Sequence, residues 1–124
     1  MPIKWTISHP ERLVTVDVDG DVTLPQAEEY LDALVVADAM PYAKLLDCRK
    51  MLTAATDDEM MQLGARMRAY GSIMKGGPLV FVVADEVIEG YVRRYINLAA
   101  ADRPVKIVQT MEQAQDWLKT QTRP

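Results

Sequence analysis

Cysteine and histidine, on which most metal sites and many nucleophilic mechanisms depend, occur only once each in this 124-residue sequence, as Cys48 and His9. A lone cysteine cannot form an internal disulfide, which fits a reducing compartment. One histidine and one cysteine cannot supply the usual nitrogen and sulfur ligands of zinc. We therefore expect neither a metal nor a cofactor.

A catalytic pair is equally hard to assemble from these residues. A histidine base must lie within hydrogen-bond reach of its nucleophile, but His9 precedes Pro10 in a predicted turn while Cys48 belongs to a separate predicted strand. Cys48 is expected to be a small buried side chain, with Arg49 on the opposite face of the strand. An enzyme would instead need perturbed carboxylates in a concave site, such as Asp47 near Asp85. We expect a protein without catalytic activity.

The sequence also lacks a long apolar run and a surplus of basic residues. No run approaches the ~20 apolar residues of a membrane helix, and the first residues lack a signal-peptide pattern. Fourteen basic residues against 18 acidic ones give a net charge of −4, which disfavours a nucleic-acid partner. We expect a soluble, cytoplasmic protein with no integral membrane segment and no nucleic-acid partner.

Low-complexity segments, repeats and long linkers are missing as well. The apolar fraction of 49% and the charged fraction of 26% are ordinary for a globular protein. The length matches that of one common domain. These observations predict a single domain over residues 1–124.

Five short segments predict strands. Residues 4–8 and 12–18 form a hairpin pattern around the turn residues His9 to Glu11, and Asp19-Gly20-Asp21 is expected to end the second strand. The apolar runs 44–48, 79–84 and 105–108 follow, and the continuously apolar run 79–84 is typical of a strand that is covered on both faces.

Four helices are predicted from their N-terminal caps. Thr23, Thr56 and Thr110 each have Gln or Glu three residues later, the pattern of a capping box, and Asp85 is a fourth cap. The helices should run about 24–39, 57–74, 86–100 and 111–120, with Gly76-Gly77-Pro78 ending the second. The order ββαβαβαβα predicts an α/β fold with a mixed, mostly parallel central sheet and four helices.

Four segments carry a resemblance to a known family. Residues 18–23, 44–49, 79–85 and 110–118 together resemble the STAS and SpoIIAA-like family, which includes anti-sigma-factor antagonists. The resemblance implies the SpoIIAA-like fold and a non-enzymatic regulatory or protein-interaction module. Its protein partner is unknown, and a second copy of the chain is one candidate.

The sequence departs from the family at the start of the second helix. Anti-sigma-factor antagonists carry a phosphorylated serine there, whereas residues 52–59 of this chain contain no serine and no glycine. Thr53, Thr56 and Arg49 are the candidates for a phospho-switch or an anion site, because Arg49 can neutralise an anion and the threonines can donate hydrogen bonds. The acids after Thr56 would repel a phosphate. A helix cap alone therefore explains Thr56 better.

The second helix is rich in methionine. Its candidate apolar residues are Met60, Met61, Leu63, Met67 and Met74. A core face packed by adaptable side chains is the simpler interpretation. The alternative is a surface that covers a small hydrophobic or lipid-like ligand, or that meets a protein partner. An apolar cavity beneath residues 57–74 would favour the ligand, and a filled core with an exposed Met and Tyr patch would favour the partner.

Overall fold

The computed structural model describes residues 2–52, 55–100 and 102–121. Within them the chain has the predicted order ββαβαβαβα. The strands are β1 (Ile3–Ser8), β2 (Leu13–Asp21), β3 (Ala43–Leu52), β4 (Leu79–Val82) and β5 (Val105–Val108). The helices are α1 (Leu24–Val36), α2 (Asp57–Gly71), α3 (Glu86–Ala99) and α4 (Met111–Gln121).

The strands form one mixed sheet in the order β1-β2-β3-β4-β5. β1 and β2 are antiparallel, and every other neighbouring pair is parallel. The parallel part follows from the alternation of strands and helices. Each helix returns the chain to the end of the sheet at which the previous strand began, so the next strand runs in the same direction. The predicted α/β class and mixed sheet are confirmed.

Alternation along the strands divides the core between the two faces of the sheet. Val14, Val16 and Cys48 belong to the larger cluster, which includes buried side chains of α1, α2 and α3. Leu45 and Val80 belong to the smaller cluster, which the side chains Ala114 and Leu118 of α4 complete. Successive strand residues therefore serve different layers.

All four predicted helix caps are confirmed. In each, the cap side chain accepts a hydrogen bond from the backbone N–H three residues on. At the three threonine caps, the backbone N–H of the threonine also donates to the side chain of that later Gln or Glu, which completes a capping box. The cap-to-amide pairs are Thr23 with Gln26, Thr56 with Glu59, Asp85 with Ile88 and Thr110 with Gln113.

The predicted end of the second strand was wrong. β2 continues through Gly20 to Asp21, because β3 is itself longer than predicted and offers partners such as Lys50 and Met51. The pairing shifts between Asp17 and Asp19, and Gly20 adopts a φ of 95°, a conformation that glycine accommodates readily. For the same reason Cys48 lies inside β3 and not at its end.

Three other element ends lie earlier than predicted. α1 ends at Val36, because Asp38 takes the left-handed conformation with a φ of 55°. α2 ends at Gly71, where the Ser72 hydroxyl donates to the Ala69 carbonyl. β4 ends at Val82, where its pairing with β5 ends.

None of the helices in the described part of the chain is long and apolar enough to cross a membrane.

α2 and α3 approach each other closely at Gly64. A methyl group at this position would lie 3.1 Å from the Leu98 Cβ atom and 3.3 Å from the Leu98 carbonyl oxygen. Gly64 therefore allows α2 and α3 to pack closely, although glycine lowers the helix propensity of α2.

Gly64 and Gly90 provide a matched test of this close approach. Gly90 occupies an exposed position of α3, with no neighbour within 4 Å of an added carbon. Gly90→Ala should therefore raise the free energy of unfolding by about 0.5–1 kcal/mol. Gly64→Ala should bring no such gain, because Leu98 has to move. Urea unfolding measures both, and an equal gain at Gly64 would show that the helices are further apart.

Candidate functional site

An apolar cavity of about 160 Å³ lies beneath α2, between α1, α3 and the sheet. Met60 and Leu63 line it from α2, and Leu46, Cys48 and Phe81 line it from the strands. The remaining lining side chains come from β1, β2 and the turn after it, α1, the end of β3, the segment before α2, the first turn of α2, and α3. They are Ile3, Val18, Val22, Thr23, Leu24, Ala27, Tyr30, Leu31, Met51, Ala55, Glu59, Tyr91, Val92 and Tyr95.

A polar clamp attaches α2 to α1. The Arg66 guanidinium donates from Nε to Glu28 Oε2 at 2.9 Å and from Nη1 to Asp32 Oδ1 at 3.0 Å. The Tyr70 hydroxyl, one turn further along α2, also donates to Asp32. A single exposed ion pair contributes little, but one guanidinium shared by two carboxylates fixes geometry as well as charge.

The opposite side of α2 is held by α3. Gly64 allows the close contact with Leu98, and the Arg68 guanidinium donates to the Leu98 carbonyl. Arg94 of α3 pairs with Asp57 at 2.9 Å. α2 therefore spans two helices, and the space beneath it is left partly open.

Three weakly acidic groups line the apolar cavity. Burial raises the pKa of the Tyr30 hydroxyl well above its ordinary value, and electrostatic interaction with Tyr95 and Cys48 raises it further. Burial also raises the pKa of Tyr95 and that of Cys48, each to about 12. All three groups are neutral at physiological pH, so this part of the lining offers hydroxyl and thiol hydrogens and no charge.

The cavity reaches the surface beside the N-termini of α1 and α2. Exposed Thr23 and half-buried Glu59 line it there. Both side chains take part in capping boxes: Thr23 accepts from the Gln26 amide, and Glu59 accepts from the Thr56 amide. The capping bonds thus fix the polar rim of an otherwise apolar site.

The five apolar candidates of the second helix do not share one surface. Met60 and Leu63 line the cavity. Met67 is 3% exposed and belongs to the core, whereas Met61 is 56% exposed. Met74 lies beyond the end of α2 and is half-buried.

The predicted anion or phospho-switch residues are engaged locally where they are described. Arg49 forms a two-bond ion pair with Asp47, at 2.9 and 2.8 Å, and this hydrogen bonding lowers the Asp47 pKa. The Thr56 hydroxyl accepts from the Glu59 amide at 3.1 Å. Thr53 lies outside the described residues. An anion near Arg49 would have to compete with Asp47.

The other chemically reactive side chains are separated. His9 Nδ1 lies 2.8 Å from the Tyr42 hydroxyl, at the opposite end of the sheet from the capped helix starts. Cys48 is buried, and Asp85 caps α3. Residues 2–52, 55–100 and 102–121 contain no group of three His, Cys, Asp or Glu side chains that could hold a metal ion.

Tyr30 lines the cavity but was not among the predicted site residues. Ala27, Tyr30, Leu31 and Leu34 follow the i, i+3, i+4, i+7 spacing of one helical face, and this spacing could have placed Tyr30 inward. The cavity itself left no signal in the sequence, since the same apolar residues would also fill a solid core.

The Thr56 cap can be separated from a regulatory role. Thr56→Ala should lower the free energy of unfolding by about 1 kcal/mol, because an amide loses its acceptor at the start of α2. Thr56→Ser should retain most of that stability. Chemical denaturation measures both. An unchanged stability in Thr56→Ala would contradict the capping role and leave the hydroxyl free for modification.

Comparison with known proteins identifies the fold. No protein-family model and no curated protein sequence matches the chain. A solved structure of an uncharacterized protein of the DUF3478 family with a SpoIIAA-like fold, from Shewanella loihica PV-4, is 18% identical, with a TM-score of 0.64. The match covers 94% of this chain and 93% of that chain.

A second solved structure is similar. It is the anti-sigma factor antagonist SpoIIAA in its unphosphorylated form, 13% identical with a TM-score of 0.58, and the match covers 94% of this chain and 97% of that one. Similarity at such low identity shows the fold alone. The chain has the SpoIIAA-like fold that its sequence implied.

Proposed function

We propose that this chain is a non-enzymatic binding module of STAS type that holds a small, mostly apolar molecule beneath α2. The observation that carries the proposal is the apolar cavity of about 160 Å³ under that helix. Engineered apolar cavities of about 150 Å³ bind benzene. The space therefore suits a ligand of roughly one ring or a short branched chain.

The lining favours a neutral ligand. Tyr30, Tyr95 and Cys48 remain protonated within it, and desolvation is the largest cause of each raised pKa. An isolated carboxylate would face the same desolvation cost without a cation among the lining residues. A ligand with one carbonyl, ether or hydroxyl oxygen could accept a hydrogen bond from a tyrosine.

The size of the cavity disfavours a long lipid chain. Pockets for drug-sized ligands measure about 300–1,000 Å³, so a lipid would require α2 to move away from α1 and α3. The Arg66 clamp and the Gly64 contact oppose that movement. A small ligand needs no such rearrangement.

A protein-interaction module is the second candidate. The similar SpoIIAA structure is that of an anti-sigma factor antagonist, and such a role requires a protein partner. Exposed Leu52, Met61 and Val87 lie at the end of β3 and near the starts of α2 and α3. These side chains give a partner an apolar contact, and a ligand beneath α2 would lie close to it.

Binding of benzene tests the ligand proposal. Titration of the wild-type protein, followed by amide NMR shifts, should give saturable changes at Cys48, Leu63 and Phe81. Leu63→Trp should reduce these changes at least tenfold, because the indole ring occupies the cavity. Met61→Trp is the matched control, since it places the same ring on the exposed face of the same helix, and it should bind benzene like the wild type.

Two results would overturn the proposal. One is the absence of any saturable shift in the wild type, which would mean that the lining closes on itself. The other is equal loss of binding in both tryptophan variants, which would place benzene on the surface of α2. In either case the protein-interaction candidate would stand alone.

A further inference from the structure

Two cationic side chains are buried near the amino ends of the parallel strands, opposite the end of the sheet at which the helices begin. Lys44 is the second residue of β3 and is 2% exposed. Arg103 precedes β5, and its side chain is 4% exposed. The positive charge of Arg103 contributes to the lowered pKa of Lys44, so the two groups interact.

Lys44 is satisfied only by neutral acceptors in the described part of the chain. Its Nζ atom donates to the Met40 carbonyl at 2.6 Å and to the Tyr42 carbonyl at 2.7 Å. Burial, the larger cause, and the charge of Arg103 lower its pKa to about 7. Lys44 can therefore relieve the cost of burial by losing its proton near neutral pH.

Arg103 cannot avoid the cost of burial by losing a proton, because a guanidinium stays protonated in proteins. Its Nε atom lies 3.4 Å from Asp102 Oδ1, a long contact to a carboxylate that is 67% exposed. Its Nη1 atom is buried without a hydrogen-bond partner among the described residues. Leaving a buried charged donor unsatisfied costs more than leaving a neutral one.

The guanidinium lines a groove between residues 71–76 and 102–104. Gly76 lies against it so closely that any side chain there would collide with the Arg103 guanidinium. Exposed Lys75 lines the same groove. The groove thus combines a buried arginine, a surface lysine, the exposed carboxylate of Asp102 and a glycine whose missing side chain leaves room for the guanidinium.

We propose that this groove binds a small dianionic oxyanion, of the phosphate or sulfate class, through the Arg103 guanidinium. The planar fork of arginine matches two oxygens of such an anion. Lys75 adds positive charge to the groove, and the Asp102 carboxylate beside Arg103 competes with the anion. Buried Lys44, which interacts electrostatically with Arg103, adds positive charge when it is protonated. This site is separate from the apolar cavity and does not depend on the ligand proposed for it.

Inorganic sulfate is the probe, because it remains dianionic across the relevant pH range. Titrated at constant ionic strength against chloride, it should give saturable amide NMR shifts confined to residues 71–76 and 102–104. Arg103→Met should weaken sulfate binding at least tenfold. If that variant does not fold, Arg103→Lys keeps the positive charge and should fold, and it should still bind sulfate more weakly than the wild type. Arg93→Met, which removes an exposed arginine of α3, should bind like the wild type.

The proposal is overturned if sulfate and chloride act alike, or if the wild type shows no saturable shift. Either result would mean that Asp102 or water satisfies Arg103. It is also overturned if Arg103→Lys binds sulfate as tightly as the wild type does.

Proton linkage gives an independent readout at Lys44. The groups facing this amine are the Met40 and Tyr42 carbonyls and the Arg103 guanidinium, and Arg103 in turn interacts with Tyr95 and contacts Asp102. A bound dianion favours the protonated amine, so sulfate affinity should rise as pH falls from 8.5 to 6.5. Lys44→Met should remove that pH dependence, while Lys4→Met, an exposed lysine of β1, should leave it. A dependence that survives in Lys44→Met would contradict the arrangement.

Discussion

The architecture of the candidate site depends on how α2 is supported. Its main contacts are with α1, through the Arg66 clamp, and with α3, through the approach of Gly64 to Leu98. Only part of its apolar face reaches the core, chiefly through Met67. Because α2 is held by α1 and α3, its side chains do not completely fill the apolar space between the helix and the sheet. The cavity, its tyrosine lining and its capped rim all follow from that support.

The two ends of the sheet have different chemistry. At the carboxyl ends of the strands, Thr23, Thr56 and Asp85 cap helices, and the cavity there is lined mostly by apolar side chains. At the amino ends, Lys44 and Arg103 are buried with few acceptors. β3 joins both regions, since Lys44, Leu46 and Cys48 alternate onto the same face of the sheet. One strand therefore lines the apolar cavity and contributes a buried cation at its start.

Local signals were sufficient to predict most of the fold. The caps at Thr23, Thr56, Asp85 and Thr110 follow from side-chain chemistry that acts within one helical turn. The strand through Gly20 was not predictable in this way, because its extension depends on pairing with a long β3 whose partner residues are remote in sequence. Local composition at Asp19-Gly20-Asp21 favoured a turn, and tertiary pairing overrode it.

The candidate site was predicted only in outline. The methionines of α2 indicated an apolar face, but the structure divides its side chains among three surroundings: Leu63 lines the cavity, Met67 is buried in the core and Met61 is exposed. Lys44 stood in an apolar strand without any sequence sign of its burial. Arg103 is distant from Lys44 and Gly76 in sequence, so their association arises only from the parallel order of β3, β4 and β5.

The most direct test of the central claim is a crystal structure of the protein under xenon pressure, since xenon enters apolar cavities without requiring hydrogen bonds. We expect a xenon atom bounded by Leu63, Cys48 and Phe81, with the ion pairs of Arg66 still joining α2 to α1. If that space held no xenon and were filled by Met60 and Leu63 packed onto the sheet, α2 would be part of a solid core, and the proposed binding site would not exist.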